Sequence, residues 1–312
     1  MINTLTLNPA IDKVISLDTL EKNHTNRIES TTEVIGGKGT HVSINLKLLG
    51  TSSRAFGICY GRSGKRIMSY LEDYGLEVAF LHKSGHESRT NYLLVERNND
   101  CTIIAERGVP LGDREIEELI ACLRASTKSG DDLVLSGDAG NCANPFVYND
   151  ILEALKDRKL RVFVDTSGPA LVGCVQSAPF LIKPNLRELS ALCGREVSPS
   201  DDDVLRALAS LKGSGIQIIA VSLGSKGSIL TCPEGVFKAI PPTNVRTRNT
   251  IGCGDCYLAG LVHGLSEGKP IEETLRIATA VSAATAESSL SVGFDSLRAR
   301  EVLGACEVSR IC

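Results

Sequence analysis

The sequence predicts an α/β fold in which a mostly parallel sheet carries helices and a small flap of strands leaves it near the amino terminus. Three observations predict it. Strand and helix patterns alternate through most of the chain. Strand after strand ends in polar residues, at Asn8, Ser136, Asp165 and Lys183, as in open sheets that bind ligands at their carboxyl edge. Two β-rich stretches, Lys13 to Leu17 and Arg27 to Ile35, follow the first strand with no helix between them. They predict an antiparallel flap outside the main sheet.

The 312 residues are enough for one large domain with an insertion, or for two. With 42% hydrophobic and 23% charged residues the chain is an ordinary globular one rather than a disordered one. A net charge of -3 gives no basic surface for nucleic acid or an acidic membrane. Met1 to Leu5 has neither the basic flank nor the apolar run of a signal peptide, and no apolar stretch reaches spanning length. The expected location is cytoplasmic. Eleven cysteines, an odd number in mostly apolar surroundings, read as reduced small hydrophobes. Cys253 and Cys256 are spaced Cys-x-x-Cys, but no second pair stands at zinc spacing.

In chain order, Ile2 to Leu7 is a strand stopped by Asn8-Pro9, with Asp12 just beyond. Gly36-Gly37-Lys38-Gly39 opens a helix whose apolar positions Val42, Leu46 and Leu49 recur at helical spacing. Glycines and a lysine before a helix make a candidate anion site and equally a plain flexible turn. Ser53 to Ile58, Arg62 to Tyr74 and Glu77 to His82 read as strand, helix and strand. Thr90 to Glu96 and Cys101 to Glu106 flank the turn Arg97-Asn98-Asn99-Asp100, a hairpin that joins the flap. Helix stripes at Ile116 to Leu123 and Phe146 to Leu155 alternate with strands at Asp132 to Leu135, Arg161 to Val164 and Phe180 to Ile182.

Leu186 to Leu192 is a helix that carries Glu188 three residues after Asn185. That pair suits a hydrated Mg²⁺ and suits a helix cap as well. Ile216 to Leu223 is a buried strand running into Gly224-Ser225-Lys226-Gly227, and a hairpin follows. The last helices are Leu258 to Leu265 and the alanine-rich Ile271 to Ala286.

The stretch from Asn249 to Gly260 carries the chemistry. Gly252 and Gly254 allow a tight turn with bare N–H groups at a helix start, which is a phosphate cradle. Asp255 in such a cradle repels an anion unless it accepts a proton from an attacking hydroxyl. It also suits the first turn of any helix. No complete Gly-x-Gly-x-x-Gly, Walker loop, Gly-x-Ser-x-Gly elbow or histidine zinc spacing occurs.

Six stretches in order carry a resemblance: Thr4 to Asp12, Asn26-Arg27, Gly36 to Gly39, Lys183 to Glu188, Ser222 to Gly224 and Gly252 to Asp255. Together they resemble the ribokinase-type (phosphofructokinase-B) sugar kinases, in the branch of 1-phosphofructokinase and tagatose-6-phosphate kinase. The resemblance implies one ribokinase-like domain over 1–312. Its sheet is doubly wound, and lid strands are inserted at about 12–35 and 88–107. It implies ATP-dependent phosphorylation of a ketose phosphate, first fructose 1-phosphate to fructose 1,6-bisphosphate. Tagatose 6-phosphate, fructose 6-phosphate or another sugar are alternative acceptors, and a non-catalytic sugar-phosphate sensor is the alternative outside enzymes.

By the same resemblance Asp255 is the catalytic base, and Gly252, Cys253 and Gly254 form the anion hole. Asp12, Arg27, Gly37, Lys38 and Arg89 meet the sugar phosphate. Asn185, Ser222, Gly224 and Gly227 meet the nucleotide, and Asn185 and Glu188 organise Mg²⁺ through water. The partners implied are ATP and a sugar phosphate, and lid strands with exposed edges that need covering suggest a homodimer through the lid. Three positions depart from the pattern: His41 stands where the family has Asn, Asp138 where it has Ser, and Cys253 where the anion hole usually has Ala. The first two lie among the expected substrate contacts and bear on which sugar is used, while the backbone N–H of Cys253 keeps the hole.

Overall fold

The computed structural model describes residues 1–98 and 100–312; of the predicted turn Arg97-Asn98-Asn99-Asp100, Asn99 lies outside the described residues. The chain begins with β1 (Ile2–Thr6), leaves for β2 (Ala10–Leu17) and β3 (Ile28–Gly36), and returns through α1 (Lys38–Leu48). It continues with β4 (Ser53–Tyr60), α2 (Gly61–Asp73) and β5 (Glu77–Lys83), then leaves again for β6 (Arg89–Glu96) and β7 (Cys101–Ala105). Regular alternation follows: α3 (Asp113–Ser126), β8 (Asp132–Ser136), α4 (Val147–Ala154), β9 (Arg161–Asp165), α5 (Gly168–Gln176), β10 (Leu181–Ile182), α6 (Leu186–Cys193), α7 (Asp201–Ser210) and β11 (Ile218–Ser222). The rest comprises β12 (Ser228–Cys232), β13 (Gly235–Ile240), α8 (Cys253–Ser266), α9 (Ile271–Ala286), α10 (Ser296–Ala305) and β14 (Glu307–Arg310).

Ten strands form the main sheet in the order β14-β13-β12-β11-β10-β9-β8-β1-β4-β5. From β11 to β5 every pairing is parallel, while β12, β13 and β14 add an antiparallel edge. Alternate residues of each strand face opposite layers. Leu133 and Leu135 pack with Leu119, Ile151, Leu171, Leu189 and Val204 of α3 to α7, whereas Val134, Phe163 and Ala220 pack with Val42, Leu258 and Leu275 of α1, α8 and α9. Two buried faces explain why the central strands read as continuous apolar runs. The sheet is therefore doubly wound, with a second small sheet beside it.

The lid holds four strands in the order β3-β2-β6-β7. It is not wholly antiparallel as the sequence reading expects, because its central pair, β2 and β6, is parallel. Both strands leave the same edge of the main sheet in the same direction, after β1 and after β5, so they enter the lid side by side.

Four elements escape the periodicity: α5, α7, α10 and β14. Two of the three helices start at a side-chain cap. The Ser200 side chain accepts the Asp203 N–H at α7, and Asp295 accepts two N–H groups at α10. No described helix is long and apolar enough to cross a membrane.

Candidate active site

The carboxyl ends of β1, β8, β9, β10 and β11 lie side by side and deliver Asn8, Ser136, Asp165, Lys183 and Ser222 to one edge. The amino termini of α1 and α8, which pack together, point at the same edge and add the positive ends of two helix dipoles.

Gly252 caps α8 with φ 78°, and a Cβ there would lie 1.9 Å from the Ser291 carbonyl oxygen, so only glycine fits this turn. The turn is further fixed by Asn249, whose side-chain oxygen accepts the Ile251 N–H at 2.6 Å and whose amide donates to the Leu290 carbonyl at 3.1 Å. Gly252, Cys253 and Gly254 thus form a turn running into the helix, with Asp255 buried in its first turn. Burial and the neighbouring Asp255 push the Cys253 thiol up to about 12, which makes it an inert thiol at neutral pH. All eleven cysteines are free, and no group of three metal-ligating side chains occurs among the described residues.

Facing this turn is a buried charge cluster. Asp165, 1% exposed, accepts a hydrogen bond from the half-exposed Lys38 Nζ at 3.3 Å on Oδ1 and forms an ion pair with Lys183 Nζ, 3.2 Å from Oδ2. Burial opposes the Asp165 charge, but the two lysines outweigh it and hold its carboxyl below the usual range. Asp165 raises the Lys38 pKa in turn. A Cβ on Gly254 would stand 3.5 Å from Lys183 Nζ, so the glycine turn and this lysine share one space. Sequence reasoning assigned no role to Asp165 or Lys183. The signal was present, since both end parallel strands at the functional edge.

The lid supplies the other wall. Asp12 is buried in β2, where Asn91 of β6 donates to it at 2.8 Å. Its carboxylate crosses Gly36 so closely that a Cβ there would lie 2.1 Å away. Burial is the main influence raising its pKa. Gly37 is the N-cap of α1, and Lys38 follows.

His41, one turn into α1, points its Nδ1 at Asp255 Oδ2, 2.8 Å away, and its Nε2 at the Ile35 carbonyl, 2.9 Å away. Arg89 donates to the Asn8 carbonyl at 3.1 Å and to the Glu106 carbonyl at 3.3 Å, and it lies in the field of Asp138. Burial lowers its pKa. Asp138 is exposed and accepts the Gly140 N–H at 2.9 Å.

Arg27 stands apart. It precedes β3 at the end opposite Gly36, and nine residues of strand at roughly 3.3 Å each put it about 30 Å along the chain path from Gly37.

At the ends of β10 and β11, Asn185 and Ser222 are bridged, and Gly224 and Gly227 bound the turn beyond. Asn185 accepts the Glu188 N–H at 2.9 Å, and Glu188 accepts the Asn185 N–H at 2.8 Å. The cap and the ligand pair expected from the sequence are thus the same residues.

Residues 5–294 match the pfkB family of carbohydrate kinases. The chain belongs to that family. It is 32% identical over 288 residues to the 1-phosphofructokinase of Bacillus subtilis, a match covering 92% of this chain and 93% of that one. It is also 32% identical over 282 residues to the tagatose-6-phosphate kinase of Staphylococcus epidermidis, covering 90% of each. Among solved structures, phosphofructokinase-2 of Escherichia coli in complex with potassium superposes with a TM-score of 0.90 at 26% identity, over 97% of this chain and 98% of that one. The protein is therefore a carbohydrate kinase, and the sensor reading falls away.

Proposed function

We propose that the enzyme transfers the γ-phosphoryl group of ATP to a ketose phosphate, with fructose 1-phosphate the preferred acceptor and fructose 1,6-bisphosphate the product. The observation that carries this reading is the placement of buried Asp255 in the first turn of α8, inside a backbone N–H cradle and opposite Lys183 and Lys38. Asp255 accepts the proton as the substrate hydroxyl oxygen bonds to phosphorus. The bond from that phosphorus to the β,γ-bridging oxygen breaks, and its electron pair leaves on ADP. The N–H groups of Gly252 to Gly254 and the Lys183 ammonium stabilise charge on the transferring group. Asp12 and Gly37 line the sugar, and Lys38 and Arg89 supply cations for its phosphate.

Ser222, Gly224 and Gly227 form the nucleotide edge. Asn185 and Glu188 would hold a hydrated Mg²⁺ through water. Their reciprocal cap engages one oxygen of each and leaves the second Glu188 carboxylate oxygen outside the cap. One carboxylate acting through water suits a cation that keeps most of its hydration shell. When bound, it neutralises phosphate charge.

A second acceptor class is favoured by one observation: Asp138 places an acid in the field of Arg89, where a substrate phosphate would sit. A different sugar, tagatose 6-phosphate included, would be read at this point.

The exposed Ile28, Ile103 and Ile104 on the edge strands β3 and β7 support a dimer through the lid. A sedimentation mass of one chain at working concentration would exclude it.

The deciding experiment is ATP consumption by purified protein with Mg²⁺, offered fructose 1-phosphate, tagatose 6-phosphate and fructose 6-phosphate in parallel. Fastest turnover with fructose 1-phosphate supports the reading. Turnover with none of the three overturns the ketose-phosphate assignment.

A further inference from the structure

His41 is placed unlike a sugar contact. Both ring nitrogens are engaged inside the protein, Nδ1 with Asp255 at 2.8 Å and Nε2 with the Ile35 carbonyl at 2.9 Å, and the residue is 4% exposed. A carbonyl oxygen only accepts, so Nε2 carries a hydrogen. The contact at Nδ1 then needs one further proton, because a bare ring nitrogen facing a carboxylate would be repulsive. One proton is therefore held between His41 and Asp255. With it on the ring, Asp255 is ionised and its Oδ1 remains for the substrate hydroxyl.

We infer that His41 is a positioning residue for Asp255, fixing the orientation of the base and tying it to the root of lid strand β3. This rests on the reading of Asp255 as the base. The groups around the ring support it. Asp255 reaches it from α8 and Asp12 from β2, both acidic, while the Ile35 carbonyl faces it from β3. Lys38 of α1 and Cys253 of α8 lie in the field of Asp255 itself. Burial disfavours the ring charge, but the Asp255 hydrogen bond and charge, with Asp12, outweigh it, so His41 keeps its proton above its ordinary pH range. Asparagine at this position cannot do this, since its uncharged amide does not titrate. The consequence for the substrate is that the ring offers the sugar no free donor.

The test is the pH dependence of kcat and KM for the wild type, His41→Asn and His41→Gln with ATP, Mg²⁺ and the best ketose phosphate acceptor. The wild-type kcat is expected to fall as alkaline pH removes the shared proton. Both variants should lose that limb and turn over roughly tenfold to a hundredfold more slowly at neutral pH, with sugar KM within about twofold of wild type. A raised sugar KM with unchanged kcat would make His41 a sugar contact and overturn the inference. A lowered kcat with an unmoved pH profile would reduce it to a packing role and also overturn it.

Ring ¹⁵N resonances, read without substrate, supply a check independent of turnover. Both nitrogens should be protonated at neutral pH in the wild type, and Asp255→Asn should shift that ionisation to lower pH. An unshifted ionisation counts against the pair. If Asp255→Asn instead retains wild-type turnover, the base assignment fails on its own account, whatever the resonances show.

Discussion

Lys183 and Asp165 meet at the ends of neighbouring strands, Nζ 3.2 Å from Oδ2, with 4% and 1% of their surfaces exposed. Neither charge can be hydrated there, so each depends on its partners, Lys183 on Asp165 and Asp165 on Lys183 and Lys38. The pair presents a fixed cation to the turn at Gly254.

Asp165→Asn should therefore cost stability as well as activity. Removing one partner of a buried pair costs about 3–5 kcal/mol, read as a lowered denaturant midpoint. An unchanged midpoint would show that Lys183 finds solvent or another partner.

The same carboxylate sets an acid limit. Its folded pKa lies below the ordinary 3.8, so its contribution is fully present above that value and is lost as pH falls through the lowered one. His41 has the opposite sign. Its folded pKa is raised above 6.5, so its contribution is present below 6.5 and is lost as pH rises through the raised value. Denaturation midpoints across pH should decline on both sides, and His41→Asn should flatten the alkaline side alone.

Asp255→Asn keeps the shape of the side chain and removes the proton acceptor. Turnover should fall by roughly a hundredfold to ten-thousandfold, and the melting temperature should drop as well, because the variant leaves His41 without its charged partner. Wild-type turnover in this variant would refute the assignment of the base.

Gly252→Ala forces a Cβ to within 1.9 Å of the Ser291 carbonyl oxygen at φ 78°. The left-handed conformation alone costs an alanine roughly 1–2 kcal/mol, and the carbonyl must also move. Melting temperature and kcat should both drop, because the turn that strains is the one that holds the N–H groups.

Asp138→Ser removes an acid from the field of Arg89. An exposed charge of this kind changes affinity modestly, so KM for a phosphorylated ketose should fall about twofold to fivefold, and less in high salt. A rise in KM would mean that Asp138 contacts the sugar directly.

Much of the fold was legible because its signals are local. Alternating strands and helices, polar strand ends and glycines before helices are read within a window of a few residues, and they place Asp255, Lys38, Asn185 and Ser222 correctly at helix starts and strand ends. The helix α10 escaped because its cap residue, Asp295, precedes a mixed sequence, whereas α7 carries a short apolar stripe, Val204, Ala207 and Leu208, behind its cap Ser200 that the sequence reading passed over. The parallel pairing of β2 with β6 escaped because the two strands are separated by an entire β-α-β unit.

What the sequence determined by itself is the chemistry available: a carboxylate in a glycine turn, one lysine and two arginines for anions, and an Asn-x-x-Glu pair at a helix start. What only the tertiary structure decided is who meets whom. His41 finds Asp255 across 214 residues, Lys38 finds Asp165 across 127, and Arg27 is carried to the far end of the lid. The physical reason is that side-chain type and backbone propensity are local properties, whereas the partner that sets a group's charge is chosen by sheet order and helix packing, which join distant parts of the chain.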